Sequence, residues 1–196
     1  MPVDAKTTQI GTYHLADNPS LYEVQRDNNF EFIVTGLDNL IRSNADATDE
    51  NALIVNASQT LRFSVVSSTI PMFSQDSITV QRGNSTMKFA GKPTFSSGSL
   101  VVNDFIGADT KSVLMAWQAL SYDVATEKVG NAADYKKTCY LCEYTPDYKL
   151  VRTWRMVGCW VSGLSEGEFN MENGGKKTIT ANIEYDKAFM EMPDQQ

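Results

Sequence analysis

Apolar and polar residues alternate along most of this chain with the period of two that places successive side chains on opposite faces of a strand. One stretch departs from that rhythm. From Asp109 to Tyr122, DTKSVLMAWQALSY, the residues Val113, Leu114, Trp117, Leu120 and Ser121 recur on one helical face, and Asp109 stands where its carboxylate can accept the first free backbone N–H groups. Burying Val113, Leu114, Trp117 and Leu120 against a sheet stabilises a fold by roughly 1.5–3 kcal/mol per side chain, before the entropy of ordering is subtracted. The pattern predicts a mainly β protein, an antiparallel sandwich or barrel, with one flanking helix at about 109–122.

The strands follow in order. Residues 1–28 are polar and weakly patterned and read as a peripheral arm, with a turn at Asp17, Asn18 and Pro19. A strand is expected over Asn29 to Thr35, then an exposed acidic loop over 42–51, RSNADATDEN. From Gln59, the alternation of Leu61, Phe63 and Val65 with Arg62 and Ser64 predicts a strand of about ten residues that stops at Ile70-Pro71, where proline cannot feed a central ladder. Ser77–Gln81 and Thr86–Ala90 flank Gly83-Asn84, a hairpin signal whose glycine and asparagine supply left-handed conformations. Ile78, Val80, Met87 and Phe89 fall on one side of that hairpin, and Thr79, Gln81, Thr86 and Lys88 on the other.

Lys92-Pro93 and Ser96-Ser97-Gly98 read as turn boundaries, and Ser99–Phe105 as a buried strand. After the helix, residues 123–134 read as a loop and 135–144 as a strand. Pro146 to Lys149 makes a turn, and 150–164 is a strand apolar on both faces with a bend at Gly158. A short strand at Phe169–Glu172, a turn at Asn173-Gly174-Gly175, and a final strand with Ile179, Ala181, Ile183 and Tyr185 on its inner row complete the body. Residues 190–196 form a polar tail. One domain over 1–196 is expected.

Composition narrows the chemistry. A formal charge of −7 gives a surface of the same sign as DNA, unsuited to gripping phosphates but compatible with letting DNA pass. No apolar run approaches the roughly 20 residues that span a bilayer, so stable membrane insertion is not expected. The opening residues lack a basic stretch followed by an apolar one, so the protein is expected to be made and kept in a cytoplasm until something else moves it. Cys139, Cys142 and Cys159 read as buried free thiols, because Cys139 and Cys142 lie three apart in a strand and point to opposite faces. The one histidine, His14, lies in the weakly patterned arm, so no His-based catalytic site is built around it. Glu166 with Glu168, and Glu184 with Asp186, are paired carboxylates at strand spacing, the arrangement a solvated sheet face also requires. No glycine-rich phosphate loop occurs. Catalytic, metal and cofactor sites are therefore not expected, and the protein is not expected to be an enzyme.

The order of parts resembles the tail tube proteins of contractile-tailed bacteriophages, over about residues 59–188. The resemblance rests on the polar hairpin from Ser77 to Ala90, on Val102-Asn103-Asp104 followed by the helix with its Trp117-Gln118 pair, on Tyr135-Lys136-Lys137 opening a strand, and on Val157-Gly158-Cys159-Trp160 before the closing hairpin. It implies six copies joined into a ring with a continuous inner β-barrel, and rings stacked into a tube. Thr79, Gln81, Thr86 and Lys88 are then the lumen-facing candidates. The implied partners are further copies of the chain, tail sheath, tape-measure, baseplate and tail-terminator proteins, and DNA that passes without sequence-specific binding. The implied place is a virion tail assembled in a host cytoplasm. A tail-end initiator or terminator of the same fold, a secretion-system tube protein, and a carbohydrate-binding β-sandwich module are compatible with the same residues.

Overall fold

The computed structural model describes residues 23–38, 56–172 and 174–191. His14, the acidic loop 42–51, most of the expected arm and the end of the polar tail lie outside the described residues. In chain order the elements are β1 (Phe30–Thr35), α1 (Ala57–Ser64), β2 (Val65–Ser68), β3 (Phe73–Arg82), β4 (Ser85–Phe95), β5 (Gly98–Asn103) and α2 (Thr110–Ala119). There follow a two-residue pair, β6 (Tyr122–Asp123) with β7 (Lys128–Val129), and one helical turn, α3 (Ala132–Tyr135). The chain then builds β8 (Lys137–Tyr144), β9 (Leu150–Glu166), β10 (Thr178–Glu184) and β11 (Lys187–Glu191).

Every strand pairing is antiparallel, and the main sheet runs β1-β8-β9-β10-β5-β2 with β11 also paired to β9. The 17 residues of β9 make it the spine. Its first part lies between β8 and β11, with Leu141 opposite Trp154 and Ala188 opposite Met156. Its second part pairs with β10, from Trp160 opposite Glu184 to Glu166 opposite Ile179. Between the two parts stands Gly158, with φ of +76°, in the left-handed region. A Cβ there would come within 2.2 Å of an Asp186 carboxylate oxygen. Asp186 itself donates its N–H to the Val157 carbonyl at 3.0 Å, and its carboxylate accepts from Lys136 Nζ at 2.7 and 2.9 Å. The bend expected at Gly158 is thus where one strand passes from one set of partners to the next.

The core collects the inward rows of these strands. Phe32, Val34, Leu100, Val102, Cys139, Met156, Cys159, Val161, Ile179, Ala181 and Ile183 are all buried. Val113, Leu114 and Trp117 of α2 close it from one side, and the Trp117 indole N–H donates to the Tyr135 carbonyl at 3.0 Å, so the ring enters the core without stranding its polar atom. Asp109 caps α2 as its position in the sequence suggests, accepting from the Ser112 N–H at 3.2 Å.

The expected strand over 59–70 is in fact α1 followed by the four residues of β2. Ala57, Leu61 and Ser64 are buried at helical spacing, while Phe63 of the same alternating run points to solvent. Asn56 caps nothing with its side chain; the Ser58 N–H is instead accepted by Asp38 Oδ1 at 2.9 Å. Among the described residues α1 therefore joins α2 on the β body. Two smaller corrections concern loops. Lys92-Pro93 lies inside β4 beside a register shift, where an unpaired edge tolerates proline's missing N–H. Phe169–Glu172 is not a strand: β10 has already taken the available edge of β9, and 167–172 is irregular chain ending in a turn.

Replacing Gly158 with alanine tests the spine. The left-handed conformation and the Asp186 carboxylate both oppose a Cβ, and a loss of about 1–3 kcal/mol in unfolding free energy is expected. The urea midpoint measures it; an unchanged midpoint would show that the bend does not depend on glycine.

Candidate assembly interface

Beyond the sheet, β3 and β4 continue the β2–β5 ladder as a free ribbon. Thr69 carries the ladder outward, its N–H donating to the Ser99 carbonyl at 2.9 Å and its hydroxyl accepting from the Ser99 N–H at 3.0 Å. At the root, Phe73 and Phe95 face each other at 5.8 Å between ring centroids, and Tyr185 of the connection between β10 and β11 meets Phe95 edge-on at 6.1 Å. Burial raises the Tyr185 phenol pKa, and contacts to the Met72 backbone and the Ser96 hydroxyl oppose that rise. These rings tie the ribbon to the body.

Past the root, every residue of β3 is exposed, and so is all of β4 except Gly91 and Phe95. Ile78 stands opposite Phe89 and Val80 opposite Met87, which puts four large apolar side chains on one face at 44–56% exposure. Thr79 opposite Lys88 and Gln81 opposite Thr86 fill the other face. All four lumen candidates therefore share one polar face, as the alternation suggested. The apolar face is not turned to the core, and nothing in the pattern distinguishes an apolar row that meets the core from one that meets solvent.

The ribbon's shape comes from two glycines. Gly83 takes φ of +60° at the first position of the two-residue turn between Arg82 and Ser85, the place a type II′ turn reserves for glycine. Asn84 does not share the left-handed conformation expected of it. At the register shift between Gln75 and Ser77, Gly91 lies so close to the neighbouring strand that a Cβ would sit 2.5 Å from the Asp76 carbonyl oxygen. The extra residue of that bulge twists the ribbon away from a flat edge.

The groups that could have carried chemistry are occupied otherwise. Glu166 bridges Lys111 and Lys177, each at 2.8 Å, and these ammonium groups hold its carboxyl below the usual range. Glu168 stands exposed apart from it, and Asp186 is paired with Lys136. Cys139, Cys142 and Cys159 are buried free thiols, and burial pushes the Cys139 thiol well up. Among the described residues no three potential ligands converge on a metal site, and no helix is long and apolar enough to cross a membrane.

No protein-family model matches the chain, and no curated protein does. Solved structures do match. A chain of the sheath–tube complex of an extracellular contractile injection system, in the extended state, aligns with 93% of this chain and 98% of its own, at 14% identity and a TM-score of 0.59. The tube-terminating cap of the anti-feeding prophage aligns with 87% of this chain and 93% of its own, at 11% identity and a TM-score of 0.60. The sheath/tube terminator of the extracellular contractile injection system aligns with 87% of this chain and 97% of its own, at 17% identity and a TM-score of 0.57. The fold is the tail-tube fold that the resemblance in the sequence implied.

Because the four apolar side chains of the ribbon touch no core, Ile78→Ser with Phe89→Ser is expected to leave the stability of the isolated chain within about 0.5 kcal/mol of the parent. Equilibrium urea unfolding measures this, and a loss above about 2 kcal/mol would mean that the ribbon folds back on the body.

Proposed function

We propose that this chain is a non-enzymatic structural protein, a single domain over 1–196, whose copies join through the β3–β4 ribbon into rings of six that stack as the inner tube of a contractile phage tail. The observation that carries the reading is the ribbon itself. An isolated two-stranded hairpin is marginal in water, and this one presents an apolar face and unpaired edges along 21 strand residues. Side-by-side copies bury that face and pair those edges, and a closed ring leaves no edge over. The polar face then lines the channel, with Thr79, Gln81, Thr86 and Lys88 toward the lumen.

The charge of −7 suits a conduit through which DNA passes without being held. A tape-measure protein fills the channel before DNA does, sheath subunits coat the outside, and baseplate and terminator proteins close the ends. The tube belongs to a virion tail assembled in the host cytoplasm. The sheath–tube complex among the structural relatives supports the sheath as partner. The likeness to a tube-terminating cap and to a sheath/tube terminator supports a second reading, in which the chain ends the tube and does not form its body. Copy number in purified particles separates the two.

Negative-stain electron microscopy of the concentrated protein is expected to show six-fold rings or hollow tubes. Val80→Pro removes an N–H from the ribbon and is expected to abolish them while the chain stays soluble and folded by circular dichroism. Normal tubes from Val80→Pro would sink the role given to the ribbon.

A further inference from the structure

At the end of β5 away from the ribbon, the chain exposes a second apolar feature. Ile106 is 102% exposed, Met171 107% and Phe169 87%, so these three side chains contact almost nothing of their own chain. They come from two loops, 104–109 and 167–172, that the fold fastens together. The Asp104 N–H donates to the Lys177 carbonyl at 3.1 Å. Lys177 Nζ lies 2.8 Å from Glu166, 3.7 Å from Asp104 and 4.1 Å from the centre of the Phe169 ring, and Lys111 reaches Glu166 at 2.8 Å. The Phe105 N–H donates to the Thr110 hydroxyl at 3.4 Å. The two loops are thus braced at their bases, by Asp104, Glu166 and Lys177, and present three exposed large apolar side chains as a knob.

The matching socket lies alongside β2, which pairs with β5 from Val65 opposite Val102 to Ser68 opposite Leu100. There β2, paired so that Ser68 stands opposite Leu100, and β1, at the far end of the sheet path, approach each other without a shared ladder. Between them opens a cavity of about 540 Å³ whose apolar lining is Phe30, Val66, Ile70 and Leu141. Arg26 and Asp27 stand on its rim. Glu168 and Lys176 flank the knob, and none of these four charges makes an ion pair among the described residues. An acid and a base on each side would let Lys176 pair with Asp27 and Glu168 with Arg26 across a contact between copies.

We propose that the Ile106–Phe169–Met171 knob of one copy seats in the β1–β2 groove of the next copy along the tube axis, so that this contact stacks the rings. The proposal rests on the tube reading and adds the surfaces that carry stacking. Knob and groove are different patches of the chain, so the contact is head-to-tail. A head-to-tail contact whose rotation does not close generates an open filament, which is what a growing tube requires.

Thiol cross-linking tests it, because the native cysteines are all buried and engineered ones react alone. Assembled Ile106→Cys/Val66→Cys protein treated with a short bis-maleimide is expected to give a ladder of dimers, trimers and longer chains on a denaturing gel. An equal mixture of the two single variants is expected to stop at dimers. Normal tubes by microscopy with no ladder would overturn the knob-and-groove contact and leave the tube reading standing. So would linkage of Val66→Cys to Ile78→Cys of the ribbon, since the groove would then hold a neighbour's ribbon. Parent protein that forms neither rings nor tubes, even when nucleated by a baseplate, would instead overturn the tube reading, and this contact with it.

Discussion

One strand belongs to two sets of neighbours, and the rest of the fold depends on the bend that lets it. Without the left-handed turn at Gly158, β9 could continue beside β8 and β11 or beside β10, but not both. The Asp186 backbone and carboxylate complete the bend from the partner side, with Lys136 neutralising the acid in a place where a side chain at 158 would otherwise stand. A bulge between Asn182 and Ile183 absorbs the accompanying shift of register. The inner rows of the two halves then face a common interior, into which α2 lowers Trp117 and α1 lowers Leu61.

The bend also decides where the ribbon goes. Because β10 and β5 are carried on the second half of β9, the β2–β5 ladder reaches the rim of the body and continues past it as β3 and β4. Tyr185, beside Asp186 at the junction of β10 and β11, packs on Phe95 at the ribbon's root. The same short segment therefore sets the spine and aims the arm, which in the proposed ring would couple the geometry of the monomer to the angle at which a neighbour is met. For the proposed ring a rigid root matters, since a ring closes only when every copy holds the same angle.

Much of this was legible in the sequence where local pattern and burial agree. The face of α2, its aspartate cap, the turn at Gly83, the bend at Gly158 and the alternation of Thr178 to Glu184 each follow from a handful of adjacent residues. The failures share a cause. Leu61, Phe63 and Val65 alternate as a strand does, but the helix there is specified from afar, by Asp38 capping Ser58 and Glu31 pairing with Arg62. Phe169 and Met171 alternate too, with no free edge left to pair. For the candidate interface, the sequence divides the ribbon into a polar and an apolar face but does not say that the apolar one meets solvent. Nor does it bring Asp104 beside Lys177, because that proximity arises only when β10 returns along β5.

An exposed apolar ribbon with open edges is the usual description of an aggregation hazard, and the details of this one show how an ordered partner is favoured over a random one. The bulge at Gly91 and the proline two residues on interrupt the edge of β4, so a foreign strand cannot run its full length in register. Lys88 and Arg82 add charge near the tip, which opposes stacking of like ribbons face to face. The apolar face is short, two cross-strand pairs deep, so burying it is worthwhile only when edge pairing, shape and charge are satisfied together. A chain of net charge −7 repels its own copies at long range, and a contact must be complementary at short range to overcome that repulsion. In the proposed assembly, the features that make the ribbon costly to a solitary copy are thus the ones that would restrict it to a single kind of neighbour.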